Sequence, residues 1–520
     1  MAQAPRILWA DDEIDLLQPH VLFLESKGYE VTKVTNGVDA IEEVKKHRYE
    51  VILLDEQMPG MDGLQTLVGI HEVRPGVPVV MITKSEEERI MEEALGQRIS
   101  DYLTKPVNPS QVLLTCKRIL DRTKIRNEQL SQQYLQSFNS ITSALMNPLS
   151  HEEWIDVYLK LVRYDLELEG DEGVRQILDD QYREANRVFG RYVEDNYADW
   201  ISAMRDRKSI ERPLLSNEVV QNFVVPKLSS SRPVIFFVID CMRYDQWLMF
   251  ESLLQPLFEI ETGFHFSLLP TATPYSRNAI FSGLVPSEMA KKYAKMWEDG
   301  EDDEHSRNRN EEELLGDQLN RLGKNIRVRY DKIISSNDSK DFSSSVNELL
   351  QQDLSAVVVN FVDILAHSRS DSAVLKELAP DERAYRALTK TWFAHSWLYH
   401  VFQELSQADC TIVVTSDHGA VRSLHAAKVI GDRNTSTALR YKYGRNLKCE
   451  DKHAIFVKNP ESFGLPQGQP GTNFIIAKED FYFVYPTNYH QYLHKYRDTM
   501  QHGGASLEEM ILPVLTLKSK

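Results

Sequence analysis

Cysteine is scarce in this chain: Cys116, Cys241, Cys410 and Cys449 are the four among 520 residues. Their spacing fits neither a thiolate metal site nor a disulfide framework, so they read as reduced thiols of an intracellular protein. Long apolar runs are missing as well. No stretch reaches the roughly 18 apolar residues of a membrane-spanning helix. The opening MAQAPRILWADDE carries no charged and apolar leader. These absences predict a soluble, cytoplasmic chain with no membrane span. Positive charge is in deficit, 60 Lys and Arg against 77 Asp and Glu for a net charge of −17, which disfavours duplex-DNA binding by phosphate neutralisation. A DNA-binding transcription factor is disfavoured further because no compact basic recognition-helix segment follows the N-terminal region.

The length is that of about three domains. Residues 1–120 alternate short strands and helices, and the apolar runs stop at chemistry-bearing residues. RILWADDE ends in Asp11 and Asp12, EVILLDEQMPG in Asp55, VPVVMITKS in Thr83, and ISDYLTKPVNP places Lys105 before Pro106. Acids gathered at strand ends suit Mg²⁺, which takes few carboxylates and keeps room for phosphate oxygens. The ordered set resembles a response-regulator receiver domain. That resemblance implies a flavodoxin-like, doubly wound parallel sheet, with Asp55 accepting phosphate from a cognate histidine kinase. It also implies Mg²⁺ held by Asp11, Asp12 and Asp55, phosphoryl contacts from Thr83 and Lys105, and Tyr102 as the aromatic switch. Phosphorylation is expected to act on the segment KSEEERIMEEAL and Tyr102 and so produce a homodimer.

Residues 121–225 are poor in Pro and Gly and place Val174, Ile177, Leu178, Tyr182, Ala185, Phe189, Tyr192 and Val193 at helical spacing. An all-α linker domain without chemistry of its own is expected there. PKLSSSRP, from Pro226, marks the boundary of a third domain, 226–520.

In that last domain three β-branched or aromatic runs end in carboxylates: PVIFFVID at Asp240, AVVVNFVD at Asp363 with His367 four residues on, and TIVVTSDH at Asp417 and His418. His502 opens HGGASLEEMILPVLTL. Carboxylates and imidazoles without cysteine favour zinc, and six such groups exceed one tetrahedral ion. Two ions roughly 4 Å apart are the economical reading. In LLPTATPYSRNAIFSGL, Thr271 follows the apolar run at a strand-to-helix turn, where a metal would activate its hydroxyl as a nucleophile.

The order Asp240, Thr271, Asp363 with His367, Asp417 with His418, then His502 is similar to the alkaline phosphatase superfamily. PTATPYSRNAIFSGL resembles the nucleophile segment of its phosphodiesterase branch, and DCMRYDQW resembles the PglZ subgroup. The resemblance implies one Zn²⁺ on Asp363, His367 and His502 and a second on Asp240, Asp417 and His418. Thr271 would bind the second ion and form a phospho-enzyme later cleared by water. A sulfatase of this superfamily needs a Cys or Ser nucleophile, which Thr271 is not. A monoesterase needs fixed donors for a third phosphate oxygen, and with only Arg277 or Asn278 to serve, diester cleavage is preferred.

Two insertions stand out. EDGEDDEHSRN, from Glu298, is acidic and apolar-poor, and a mobile loop is expected there. LRYKYGRNLKCEDKH interleaves Arg440, Lys442 and Arg445 with Tyr441 and Tyr443, which fits either a solvated loop or a surface that neutralises phosphates and stacks bases. Receiver, helical linker and phosphatase-like effector in this order resemble the PorX-type response regulators of the Bacteroidetes type IX secretion system. That resemblance implies action on linear or cyclic oligonucleotides, a role in type IX secretion and gliding, and a secretion component or sigma factor as partner. The competing reading is a non-catalytic, zinc-containing regulator that docks a secretion or transcription partner on phosphorylation.

Overall fold

The computed structural model describes residues 4–74, 76–84, 99–168, 172–206, 208, 210–228, 232–298, 308–334, 338–339, 342, 345–432, 436–487 and 489–520. They fall into two compact units, Met1–Leu135 and Gln136–Lys520.

The first unit is built on strands β1 (Arg6–Ala10), β2 (Glu30–Val34), β3 (Val51–Asp55), β4 (Val79–Thr83) and β5 (Asp101–Thr104). They pair in parallel in the order β2-β1-β3-β4-β5, with helices α1 (Gln18–Ser26), α2 (Gly37–Lys46) and α3 (Gly63–Val73) among the connections. Ile7 and Trp9 of β1 enter one core cluster while Leu8 and Ala10 enter another. Burial on both faces explains why these strands are apolar along their whole length. Asp62 caps α3 by accepting the Gln65 N–H at 2.7 Å. Gly63 lets that helix start against β3, because a Cβ there would lie 2.5 Å from the Asp55 carbonyl oxygen. KSEEERIMEEAL lies, apart from Lys84, outside the described residues.

Helix α4 (Pro109–Leu145) leads to α5 (His151–Glu167) and α6 (Glu172–Asp206). Ser150 and Glu153 close a reciprocal capping box at the start of α5. The stripe on α6 is mostly buried, though Ile177 is exposed. What it covers lies partly outside the 121–225 expected for the linker domain. From residue 136 onward this segment belongs to the second unit: Phe189 packs tilted and Trp200 edge-on against Phe266 at 6.0 and 5.9 Å, and Asp165 pairs with Arg386 at 2.6 Å. Helical spacing reveals an apolar face but not its partner.

The second unit is organised by a six-stranded mixed sheet. Its strands are β6 (Val234–Ile239), β7 (Phe258–Phe266), β8 (Val328–Ile333), β9 (Leu354–Val359), β10 (Thr411–Thr415) and β11 (Ile511–Ser519). The order is β7-β11-β10-β6-β9-β8, in which β10, β6, β9 and β8 run parallel, β11 pairs antiparallel with β10, and β7 antiparallel with β11. Along β6, Ile235, Phe237 and Ile239 face one core cluster and Val234, Phe236 and Val238 the other. Three smaller sheets are formed by Val421–Ser423 with Thr499–Gln501, His425–Lys428 with Phe481–Val484, and Tyr441–Gly444 with Asn473–Ala477 and Ala454–Val457. Ser229–Ser231 of the expected linker and most of EDGEDDEHSRN lie outside the described residues. Among the described residues, no helix is long and apolar enough to cross a membrane.

Candidate metal centres

In the first unit the carboxyl ends of β1, β3, β4 and β5 converge. Asp11, Asp12 and Asp55 bring one carboxylate oxygen each within 4.8 Å of one another, a set that could hold a metal ion. Lys105 reaches Asp11 at 3.1 Å and Asp55 at 2.9 Å. Burial pushes the Asp55 carboxyl up to about 6, against the pull of the Lys105 ammonium. Thr83 is buried at the end of β4, and Tyr102 is half-buried on β5. An open cleft of about 560 Å³ lies over this set, lined by Asp12, Asp55, Met58, Asp62, Lys84 and Lys105.

In the second unit the parallel strands deliver two adjoining clusters. Asp240 follows β6, and Asp417 and His418 follow β10; their three ligand atoms lie within 4.8 Å of one another. Asp363 and His367 stand one turn apart on the helix Phe361–Asp371 and meet His502 within the same limit. The strand before that helix ends at Val359, so Asp363 sits in a first helical turn rather than at the strand end. The His418 and His502 rings stack at 4.3 Å and join the clusters. His418 Nδ1 lies 3.1 Å from the Gly419 carbonyl oxygen; donation there would leave the Nε2 lone pair facing Asp240 at 3.5 Å and Asp417 at 3.7 Å.

The donor set fits divalent cations. Asp240 Oδ1 and Asp417 Oδ2 are buried and accept no hydrogen bond from any described group. Burial and the neighbouring Asp417 push the Asp240 carboxyl up to about 7, and burial takes Asp417 to about 6. Asp363 behaves oppositely: despite its burial, the hydrogen bond and charge of His367 and the charges of His502 and His418 hold it well below the carboxylate range. Carboxylates this crowded call for compensating positive charge. His367 is solvent-exposed and provides the open side, whereas Asp240, Asp417 and His418 are enclosed.

Thr271 does not stand where sequence order suggests. Its hydroxyl donates to the Gly504 carbonyl at 2.7 Å and accepts the Gly503 N–H at 3.1 Å, which ties it to the loop after His502. The hydroxyl at the cluster belongs to Thr273, whose Oγ1 lies 2.9 Å from His418 Nε2. Thr273 is the first residue of the helix Thr273–Ser282, and its backbone N–H is the amide left for an anion there, since Pro274 has none and Tyr275 N–H donates to the Ala272 carbonyl at 2.9 Å. The missed signal was the helix boundary: Pro274 suits a first turn, which puts the preceding Thr at the helix mouth.

Of the five residues expected to touch substrate, Arg277, Asn278, Arg440 and Lys442 are buried among protein groups. Arg277, one turn beyond Thr273, is buried against Asp240 and Glu311, the latter at 2.6 Å, with Asp417 at 4.0 Å. Asn278 is buried and donates to the Pro274 carbonyl. Arg440 is fully buried against Glu509 and the carbonyls of Lys478, Glu479 and Phe481. Lys442 is buried and donates to the Ser436 and Ala438 carbonyls at 2.9 and 2.8 Å, and its burial lowers the ammonium to about 8. Arg445 alone of the three is exposed, beside Gln469. Lys442 lies on the strand Tyr441–Gly444, and its ammonium and the neighbouring Arg440 guanidinium are consumed internally.

Three family models match the chain in succession. Residues 7–117 match the response regulator receiver domain, 124–201 the PorX response regulator linker domain, and 218–517, more than half of the chain, the BREX system PglZ alkaline phosphatase-like domain. The transcriptional regulatory protein SrrA of Staphylococcus aureus is 32% identical over 126 residues, 24% of this chain and 52% of that protein. The chain therefore spans about half the length of the curated relatives it matches. Among solved structures, a CheY-like receiver domain protein from Methanospirillum hungatei is 30% identical over 23% of this chain and 97% of its own, with a TM-score of 0.22. CheY4 of Vibrio cholerae is 30% identical over 22% and 99%, with a TM-score of 0.21.

Proposed function

This chain belongs to the PglZ alkaline phosphatase-like family and is a PorX-type two-component response regulator, and from that premise we propose that its effector is a zinc-dependent phosphodiesterase governed by phosphorylation of Asp55. The observation that carries the reading is the Thr273 hydroxyl, 2.9 Å from His418 Nε2 inside a cluster completed by Asp240 and Asp417. Two zinc ions on the two clusters would supply Lewis-acid stabilisation and a lowered pKa for a bound hydroxyl or water.

The residues do the rest. Thr273 Oγ1 loses its proton and attacks phosphorus, the new O–P bond forms as one ester oxygen departs and takes up a proton, and the threonine-linked diester that results is later cleaved by water, which frees the threonine hydroxyl and a phosphate monoester. His418, its Nδ1 turned to the Gly419 carbonyl, is positioned to keep Nε2 available at the cluster. At the start of the helix Thr273–Ser282 the Thr273 N–H is the amide left for the developing negative charge, since Pro274 has none and those of Tyr275 and Ser276 donate to the Ala272 carbonyl. Arg277 and Glu311 fix Asp240 from behind. His367, on the exposed side, borders the path by which substrate and water arrive.

A threonine nucleophile supports phosphoryl over sulfuryl chemistry. The substrate class proposed is a linear or cyclic oligonucleotide, and the family of the linker supports a place in regulating type IX secretion and gliding. The receiver calls for a phosphoryl donor such as a histidine kinase. Dimerisation on phosphorylation is part of the proposal, and light scattering with and without donor tests it: identical masses would remove it. Activity is tested by incubating the zinc-loaded chain with linear and cyclic dinucleotides and a chromogenic diester, with and without phosphoryl donor, beside Asp55→Ala. Diester turnover that responds to donor only when Asp55 is present is expected. Stable zinc binding with no turnover on any of these would leave a docking regulator instead.

A further inference from the structure

Helix α6 makes polar contacts that a mere spacer would not need. Asn186, nearly buried on that helix, donates from Nδ2 to both carboxylate oxygens of Glu508 at 3.2 and 3.0 Å and accepts the Leu507 N–H at 2.8 Å. Eleven residues on, the buried Tyr197 hydroxyl accepts the Leu269 N–H at 2.8 Å. The adjacent Leu268 N–H is taken by Ser216 Oγ at 3.0 Å. Leu269 is four residues before Thr273, and Leu507 is five after His502.

Both anchor points are wired onward to the clusters. Gly504 N–H donates to Glu509 Oε1 at 2.8 Å, and Thr271 closes the same loop through Gly503 and Gly504. The turn at Glu508 also abuts the loop that carries Asp417 and His418. Gly419 N–H donates to the Glu509 carbonyl at 3.2 Å, and a Cβ on Gly419 would lie 2.0 Å from the Glu508 carbonyl oxygen, so the two backbones meet without a side chain between them.

We propose that α6 is a positioning element of the catalytic site, in which Tyr197 holds the segment carrying Thr273 and Asn186 holds the turn that braces His502 and His418. This rests on the hydrolase reading above and deepens it. A displacement of α6 reaches the nucleophile and both clusters together. Neither residue touches substrate; each acts through the loop it holds.

The test uses the full chain with Tyr197→Phe, which keeps the ring and deletes the hydroxyl, and Asn186→Ala. Amide hydrogen exchange reads the clamp without reference to turnover. Tyr197→Phe is expected to speed exchange about tenfold at the Leu269 amide, and Asn186→Ala to do so at the Leu507 amide, with the global melting temperature of Tyr197→Phe near wild type. Tyr197→Phe is expected to lower kcat on a chromogenic diester about tenfold with KM unchanged. Asn186→Ala is expected to weaken zinc binding about tenfold in chelator competition, the scale at which partners of metal ligands act. Unchanged exchange at both amides overturns the clamp, as does faster exchange with wild-type kcat and zinc affinity. A wild-type chain that binds no zinc and cleaves no diester sinks the hydrolase reading instead.

Discussion

Replacing the two neighbouring threonines separately discriminates the catalytic hydroxyl from the structural one. Thr273→Ala removes the group 2.9 Å from His418 Nε2 and little else, so folding stability is expected to fall by about 1 kcal/mol, the worth of one hydrogen bond. Turnover is expected to fall by about 10³-fold or more, equivalent to about 4 kcal/mol of lost transition-state stabilisation. Thr271→Val preserves shape but strands the Gly503 N–H and the Gly504 carbonyl, both in a buried loop. At about 1–3 kcal/mol for each orphaned group, it is expected to cost about 2–6 kcal/mol of stability. Its activity, measured below the shifted melting transition, is expected to drop only modestly. Denaturant unfolding and diester hydrolysis on the same preparations read both quantities. Full turnover in Thr273→Ala, or a folded Thr271→Val as inactive as a nucleophile deletion, would refute the assignment.

Arg440 supplies a second prediction. Because it is buried against the buried Glu509 carboxylate, Arg440→Glu is expected to prevent folding of the second unit, consistent with the 3–5 kcal/mol or more lost when a buried pair is broken. A well-folded variant with only a raised KM for oligonucleotides would show that this residue faces substrate after all. A third concerns pH. Burial pushes the Glu508 carboxyl from 4.5 up to about 7, above its unfolded value, so its stabilising contribution is present below about pH 4.5 and is lost as pH rises through about 7. Glu508→Gln is expected to flatten that part of the stability profile, and an unchanged slope in urea titrations would contradict it.

Strand-borne chemistry was legible in the sequence because a buried parallel strand is apolar to its last residue, so Asp55, Asp240 and Asp417 announce themselves where the run stops. Asp363 and His367 stood out for the same reason, as the end of an apolar run, but the strand stops at Val359 and the two lie one turn apart on a helix. What a hydroxyl or a cation faces was not legible. Thr271 and Thr273 are two residues apart, and only the loop at Gly503 and Gly504, distant in the chain, decides which of them is spoken for. Arg440 and Lys442 looked like a basic surface because their neutralising partners, Glu509 and a set of backbone carbonyls, lie elsewhere in sequence. The helical segment hid its role in the same way: the stripe on α6 was visible, but Asn186 and Tyr197 acquire meaning only from Leu507 and Leu269.

An anomalous difference map at the zinc edge, from crystals of the full chain grown with zinc, tests the central claim most directly. Two peaks roughly 4 Å apart are expected, one bounded by Asp240, Asp417, His418 and Thr273 Oγ1, the other by Asp363, His367 and His502. A single peak, or two peaks with Thr273 Oγ1 turned away from both, would contradict the two-metal hydrolase.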